Sequence, residues 1–583
     1  MTDEEIHLNP FIYISETDIR FYLTVIIGVL VPFFWAWLVV LMISSLVGEF
    51  EITMSLRILV MIPLIIIIPL LIYWQFSKFP EKIVKESRLR ELDEKKFPEE
   101  SEYIKQLATV FPPTVNRPEL MYNPLDPSVS AFTFGTWKKT FIGIPGGVLR
   151  TFRKNIDGFR SIILHEFGHI VNRDVEKTYL AESTWRSLLI TIPISLIILL
   201  CDILYTTSGI FYYGIRAGFS ITDLMSMTKI GDILAIYSGI LLYLLIFMGI
   251  VYLLRNQIIR LREFYADARV LAWEGPSGGL VKTLEGLGEE PASRFDILTK
   301  FHPLISERIQ VLKDNRELFT PSLWVGLSIG FFYGIMDLEL PGFLRLLTLT
   351  SQEWGFMKTA NYQPATEIFI VPRAAISLLF FTFLFLAVSS SFHRWTVWAF
   401  FRKGTRILSA RTLLTVLLFS LAFSLGWLTD YFIGYLEWIS VYGIDVLFTD
   451  LPSISDAWIK HALYFALSVI YLIIFASMFL QRSFSRKEAD RYFLYVSVAA
   501  STLYLLNRFL FIEVYHNKPM VLVSFLIFSL VTYIIIKFND RDLVCPNCRN
   551  KQLIQPEPQF NCKMCGNALY SWVISSHSPG TVD

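Results

Sequence analysis

Apolar residues occur along the chain in runs of about 20, the length of helix that crosses the ~30 Å hydrocarbon core of a bilayer. Polar stretches separate these runs, and the two longest follow the second and the fourth. The pattern predicts ten membrane spans, near residues 21–48, 57–76, 187–209, 233–254, 323–337, 374–392, 412–430, 459–480, 492–512 and 519–537.

The composition fits a membrane protein. Hydrophobic residues make up 54% and charged residues 18% of the chain, whereas soluble chains carry about 25% charge. A soluble globular enzyme, a disordered scaffold and a secreted disulfide protein are therefore excluded. The 52 basic and 51 acidic residues leave a net charge of +1, so we expect no nucleic-acid partner. The first apolar run is too long for a signal peptide and is predicted to be a permanent span.

Lysine and arginine placement predicts the orientation. They are dense in four connections and almost absent from three others: 77–185, 255–316, 393–411 and 482–491 are basic, whereas 49–56, 431–458 and 512–518 are not. Ten spans place every basic connection, including the one that contains Arg394, on one side of the membrane. The positive-inside rule makes that side cytoplasmic. The first long polar region and both termini are therefore predicted to be cytoplasmic.

The first long polar region contains the sequence SIILHEFGHIVNRDVEK at 161–177. His165 and His169 lie one helical turn apart on one face and can bind one zinc ion together. Glu166 comes from the same turn and can take a proton from the water that the metal activates. The apolar neighbours of these residues favour a packed helix over a solvated one that carries the motif by coincidence.

A catalytic zinc site needs a third protein ligand. Glu176 and Glu182 follow closely and are candidates. A better one is Glu263 in RLREFYADARV at 260–270, because Asp267 lies one turn further on and can orient a ligand histidine. Taken alone, that segment also fits a surface helix with paired charges.

Several segments resemble, in the same order, the integral-membrane gluzincins that include the HtpX heat-shock proteases and the CAAX prenyl proteases. They are SAFTFG at 130–135, FIGIPGGVLR at 141–150, HEFGHIVNRD at 165–174, EFYAD at 263–267 and FHPLISERIQVL at 301–312. The resemblance covers about residues 20–315. The later spans and the tail are unmatched.

The resemblance implies zinc ligands His165, His169 and Glu263, with Glu166 as general base and acid. Asp267 would be the partner of a ligand histidine.

His302 and Arg308 look like the family's pair that contacts substrate or stabilises the developing oxyanion. From the residues alone, His302 before a proline can merely begin a helix, and Arg308 can merely solvate it. Residues 172–174 extend the zinc helix and are expected to be structural or to support the ligands. Residues 141–150 are expected to form an edge strand that holds an extended peptide.

The tail carries four cysteines as two CxxC pairs separated by thirteen residues: Cys545, Cys548, Cys562 and Cys565. This spacing predicts a zinc ribbon, in which four thiolates close a structural site. A reactive dithiol is the alternative. The ribbon is a candidate surface for a protein partner.

The predicted fold is an α-helical polytopic membrane protein with a cytoplasmic α+β gluzincin domain and a C-terminal zinc ribbon. Its predicted regions are 1–76 with two spans, 77–186 with HExxH, the hairpin 187–254, 255–320 with the third ligand, the bundle 321–540 and the ribbon 541–574.

The predicted function is a zinc endopeptidase, with one catalytic and one structural Zn²⁺, that cleaves membrane proteins or lipidated peptides at the cytoplasmic face of the bilayer. HtpX-like quality control and CAAX-like processing remain open. One alternative is a membrane sensor or scaffold that binds protein without turnover, although an intact Glu166 argues against it. Another is a transporter-like bundle with an attached regulatory protease.

Overall fold

The structure, a computed structural model, describes most of the chain: residues 8–12, 14–26, 54–218, 220, 230–275, 279–286, 302–334, 364–403, 409–442, 445–480, 486–508, 523 and 526–534, and separate positions between 543 and 573. Most of the first predicted span, the end of the fifth and parts of the last two lie outside these residues.

The helices are numbered in chain order: α1 Met54–Glu86, α2 Pro98–Leu107, α3 Gly146–Lys154, α4 Ile156–Val171, α5 Asp174–Arg216, α6 Ile230–Glu274, α7 Leu280–Gly286, α8 Ile305–Lys313, α9 Pro364–Lys403, α10 Ala410–Tyr442, α11 Asp445–Leu480 and α12 Arg486–Arg508. Residues 16–26 and 323–334 are also helical. The strands are β1 Arg90–Glu91, β2 Glu119–Asn123, β3 Phe132–Thr136, β4 Lys139–Pro145, β5 Leu543–Val544 and β6 Lys551–Gln552.

The first four strands form one sheet in the order β1-β2-β4-β3. β2 and β4 are parallel, and the other neighbours are antiparallel. Apolar residues of the sheet, such as Ile142 and Ile144, share a buried core with Phe159 and Phe167 of α4. The sheet and α4 thus form a small α+β unit beside the long helices.

The expectation of an edge strand over 141–150 is wrong in two respects. The strand ends at Pro145, and α3 begins at Gly146. A Cβ atom on Gly146 would lie 2.4 Å from the carbonyl oxygen of Pro124, so the close approach of that loop requires glycine where the chain turns into the helix. In addition, β4 lies between β2 and β3, and the two edges of the described sheet are β1 and β3.

Two long helices run without a break from apolar segments into the α+β unit. α5 begins two residues after α4, beyond a tight turn in which Arg173 has a φ of 55°. α6 carries both the predicted fourth span and the EFYAD motif. The boundaries predicted at 186/187 and 254/255 therefore fall inside continuous helices, and the division into regions stays a prediction.

Within the described residues, three helical segments are long and apolar enough to cross a membrane: Leu244–Glu274, Ala410–Thr429 and Trp458–Met478. The last two coincide with predicted spans seven and eight, and the first overlaps the end of predicted span four at residues 244–254. The count of ten and the orientation stay predictions.

Arg394, expected in the basic connection after the sixth predicted span, is part of a helix in the structure. It lies inside α9 with its side chain fully buried. Its Nη2 is 2.7 Å from Oε1 of Glu16, and its Nη1 donates to the hydroxyl of Tyr265 on α6. Ser391 donates to the same Glu16 oxygen at 2.6 Å. A buried ion pair thus joins the N-terminal segment, the C-terminal bundle and α6.

Replacing Arg394 with methionine should destabilise the protein by about 3 kcal/mol, because the buried Glu16 keeps the hydroxyl of Ser391 but has only the more distant Arg20, at 3.9 Å, as a cationic partner. We expect a lower Tm of the purified protein in detergent. The double variant Glu16→Gln/Arg394→Met should recover part of the loss, and Arg411→Met, at an exposed position, should melt like the unaltered protein. A wild-type Tm for Arg394→Met would show that the pair does not stabilise the fold.

Candidate metal centre

The helix α4 presents its histidines to α6. It starts at a cap in which the side chain of Asn155 accepts a hydrogen bond from the Gly158 N–H at 3.0 Å. His165 and His169 follow on successive turns, both buried, with their ring centroids 4.7 Å apart. Their common face is the one against which α6 packs.

Gly168 sets the distance between α4 and α6. A Cβ atom at this position would lie 3.1 Å from the Cα and carbonyl oxygen of Ala266. A Cβ atom here would push the two backbones apart by a few tenths of an ångström, so glycine favours this close approach. Each helix carries candidate ligands immediately beside the contact, His169 on α4 and Glu263 on α6.

This crossing brings together three candidate ligands that are far apart in the sequence. The ligand atoms of His165, His169 and Glu263 all lie within 4.8 Å of one another. The Nε2 of His165 is 3.2 Å from Oε2 of Glu263, and the Nε2 of His169 is 3.7 Å from Oε1. Two imidazoles and one carboxylate around one point are the donor set of a catalytic zinc site.

Each histidine ring also contacts a carboxylate through its Nδ1, the nitrogen that does not face Glu263. The Nδ1 of His165 is 2.9 Å from Asp267, and the Nδ1 of His169 is 3.4 Å from Asp174. Carboxylates at Nδ1 select the tautomer whose Nε2 carries the lone pair, so both Nε2 atoms are available to a metal. Burial alone would lower the pKa of His165, but the charge and hydrogen bond of Asp267 outweigh it and raise the pKa to about 9. A metal must therefore displace a proton from this ring.

Arg308 lies behind the ligands rather than in front of them. Its guanidinium donates to both oxygens of Asp267, at 2.6 and 2.7 Å. Burial raises the pKa of the Asp267 carboxyl, and the charge of Arg308 more than reverses this and holds it below its usual value. His302 is different, because its side chain is 69% exposed and its Nδ1 lies 3.6 Å from Glu263. The structure thus exposes His302 far more than Arg308, whose side chain is 16% exposed and whose Nη1 is also 4.0 Å from Oε2 of Glu263.

Glu166 is buried beside the ligand cluster, and the hydroxyl of Thr133 on β3 donates to its Oε2. The carbonyl oxygen of Thr133 accepts a hydrogen bond from Tyr179 on α5 at 3.5 Å. Sequence reasoning did not single out Thr133. The segment SAFTFG could have indicated it, because every second side chain of a strand points to the same face of the sheet.

The two nearer acids are not at the site. Glu182 pairs with Arg255, and with Arg186 at 2.7 Å. Glu176 is not among the residues grouped with the two histidines. Of the candidates for a third ligand, the structure therefore brings Glu263 to the histidines.

A comparison with protein-family models agrees with this geometry. Residues 98–316 match peptidase family M48. The resemblance that the motifs predicted is confirmed over these residues, which contain both histidines and Glu263. No curated protein and no solved structure matches the chain.

A second candidate metal site lies outside the M48 segment. The Sγ atoms of Cys545 and Cys565 are 3.7 Å apart, and those of Cys548 and Cys562 are 3.6 Å apart. A tetrahedral zinc with Zn–S bonds of ~2.3 Å requires S···S distances of ~3.8 Å, so the four thiols fit that ion. A hydrogen bond from the Cys565 backbone lowers the pKa of Cys562 to about 6, which favours the thiolate.

The ribbon packs on the rest of the chain. Tyr570 is buried, donates to the carbonyl of Leu480 at the end of α11 at 3.1 Å, and contacts the ring of Phe401 at 5.0 Å. The carbonyl of Val573 accepts from the Asn9 N–H at 2.8 Å. The ribbon therefore ties together the ends of two bundle helices and the N-terminal segment.

Replacing Gly168 with valine should separate α4 from α6 and reduce metal binding at the M48 site. We expect the zinc content of the purified protein to fall from about two ions per chain to about one, since the ribbon is unaffected. Gly249→Ala, on α6 where a Cβ would meet nothing within 4 Å, is the control and should keep both ions. Full zinc content in Gly168→Val would contradict the assigned crossing.

Replacing Cys545 with serine should remove the other ion, because three thiolates close the structural site poorly. The expected result is about one zinc per chain and a lower Tm, measured by metal analysis and thermal unfolding. Cys201→Ser, which changes the cysteine outside the cluster, should alter neither. An unchanged zinc content in Cys545→Ser would contradict the ribbon assignment.

Proposed function

We propose that the protein is a zinc-dependent endopeptidase of the membrane that cleaves membrane-associated proteins on the cytoplasmic side. One observation carries the proposal: His165 and His169 on α4 meet Glu263 on α6, with Glu166 buried beside them and held by Thr133. The match of residues 98–316 to peptidase family M48 supports the same chemistry.

The chain's own residues divide the work of hydrolysis. His165, His169 and Glu263 would hold the ion, which when bound polarises the scissile carbonyl and lowers the pKa of water. Glu166 takes the proton of the attacking water and later delivers it to the leaving amine. Thr133 keeps the carboxylate of Glu166 in place, and its bond to one oxygen leaves the other for the proton.

The contacts of His302 and Arg308 favour a different role for each residue. His302 is the accessible hydrogen-bond donor for the oxyanion that develops on the substrate. Arg308 acts through Asp267, whose position it fixes behind His165. Its contribution is to the orientation of a ligand rather than to substrate contact.

The edge strand for the substrate is β3. It leaves one side of the described sheet unpaired, and it carries Thr133, which contacts Glu166. An extended peptide that adds to β3 would lie beside the base, with its backbone bound by strand pairing. Strand pairing binds the backbone and not particular side chains, so it accepts protein segments of varied sequence. This property favours a quality-control function over the processing of a single sequence signal.

The membrane placement is also part of the proposal. Candidate spans lie on the same helix as Glu263 and in the C-terminal bundle. The dense basic residues of the M48 segment support a cytoplasmic site through the positive-inside rule. Membrane proteins and lipidated peptides are the substrates that reach such a site.

Glu166→Gln should lower cleavage of a membrane-tethered reporter by about a hundredfold or more, because the proton acceptor is lost. Its zinc content should stay unchanged, since Glu166 is not among the grouped ligands. Glu176→Gln, the same substitution ten residues away and outside that group, should cleave normally. Undiminished turnover by Glu166→Gln would refute the assigned base and leave the non-turnover scaffold as the better reading. The same pair of variants, compared by membrane proteomics, would identify substrates.

A further inference from the structure

The surface of α1 changes character along its length. Its exposed side chains are first aliphatic, at Ile66, Ile67 and Leu70, then aromatic, at Tyr73 and Trp74. Beyond them the exposed residues are charged, beginning with the Lys78–Glu81 pair. This order matches the passage from hydrocarbon through the headgroup region to water, where tyrosine and tryptophan concentrate.

The boundary between the hydrocarbon and headgroup regions can also be located on α5. The side chain of Gln75 donates to Ser187 at 3.2 Å, so these positions on α1 and α5 lie at one height. Exposed aliphatic residues begin immediately beyond it on α5, at Leu189 and Ile190. The ion pair of Glu182 and Arg186 lies on the other side. Both helices therefore place the hydrocarbon boundary near Gln75 and Ser187.

The hairpin between β3 and β4 reaches this boundary. Trp137, at its tip, is 55% exposed, and its ring packs on Phe76 of α1 with the centroids 4.7 Å apart. Lys138 follows it in the turn, and Lys139 at the start of β4 pairs with Glu119 at 2.7 Å. A tryptophan with an adjacent lysine suits the headgroup region, where an indole is amphipathic and anionic lipids attract cations.

The ligands lie at a definable height above the boundary. The thirteen residues from Asp174, which contacts His169, to Ser187 rise about 20 Å along α5. Trp185 packs on Tyr252 of α6 at 5.4 Å, and the eleven residues from Tyr252 to Glu263 rise about 16 Å. β3 spans a similar distance between the boundary and the ligands, because the four residues of extended chain from Trp137 to Thr133 cover about 13 Å.

We propose that the enzyme cleaves about five residues beyond the end of a hydrophobic membrane segment, because β3 leads from the boundary at Trp137 to the base at Glu166. Five extended residues span about 17 Å, which matches the height of the ligands. The proposal rests on the proposed function and adds to it the position of the cleaved bond. Its substrate is a protein whose membrane helix ends shortly before an extended cytoplasmic segment.

In the test, the full-length enzyme and reporter proteins with a single membrane span are placed together in lipid vesicles. In each reporter the hydrophobic segment is followed by a tract of identical short repeats, so that many equivalent bonds are offered at different distances. A second series inserts two, four or eight residues of glycine and serine before the tract. Mass spectrometry of the released fragments gives the cut position in every reporter.

We expect the cuts to cluster about five residues from the hydrophobic end in every reporter, and to be roughly tenfold or more frequent there than ten residues further out, because displacement from the site is costly. Cuts that move outward with the inserted residues, or that spread evenly along the tract, would overturn the distance rule. If Glu166→Gln abolishes those cuts, the proposed function still stands. Cuts that do not depend on Glu166 would instead refute the peptidase itself.

Trp137 provides an independent check. Trp137→Ala removes the interfacial contact of the hairpin and should widen the distribution of cut positions, whereas Trp137→Phe should retain most of the clustering. Leu125→Ala, at an exposed apolar residue of a neighbouring loop, is the control and should keep the narrow distribution. An unchanged distribution in Trp137→Ala would show that the hairpin does not set the distance.

Discussion

The candidate site depends on one close crossing of two helices. Gly168 of α4 lies against the backbone of Ala266 on α6, where a Cβ atom would be 3.1 Å from main-chain atoms. The contact lies between the second histidine and the turn that carries Glu263 and Asp267. A wider separation would leave the carboxylate short of the imidazoles, since a bound ion tolerates little variation in ligand distance. The backbone contact thus determines the chemistry of side chains on both helices.

The same turn of α6 is held from its other side by parts of the chain outside the M48 segment. Tyr265, two residues after Glu263, bonds to Arg394 of α9, and the backbone N–H of Glu16 donates to its hydroxyl at 3.3 Å. The ribbon in turn bonds to the N-terminal segment through Asn9. A buried charge network of this kind favours one arrangement, because any other leaves a charge without its partner. The C-terminal bundle is therefore part of the support of the candidate metal centre.

Continuity of the helices links the membrane to the chemistry. α5 and α6 each run without a loop from exposed apolar surface to the turns beside the candidate ligands, so helical rise sets the distance between the two. In the proposed cleavage rule, this continuity sets the height of the site above the bilayer, and β3 presents the backbone of the substrate.

The sequence alone determined the candidate ligands of both sites, because HExxH, ExxxD and paired CxxC spacings place ligands by local helical and turn geometry. It also indicated the apolar spans, which depend only on length and hydropathy. It placed strand 141–150 at the edge of the sheet, which the structure corrects, because strand order depends on which segments pair across the chain. It placed Arg394 in a basic connection without indicating the carboxylate that pairs with it, because a basic residue shows its charge in the sequence but not its partner. Only the tertiary structure revealed Glu16 beside Arg394, Thr133 beside Glu166 and Trp137 beside Phe76, since each pair joins segments whose separation along the chain carries no information about their distance in space.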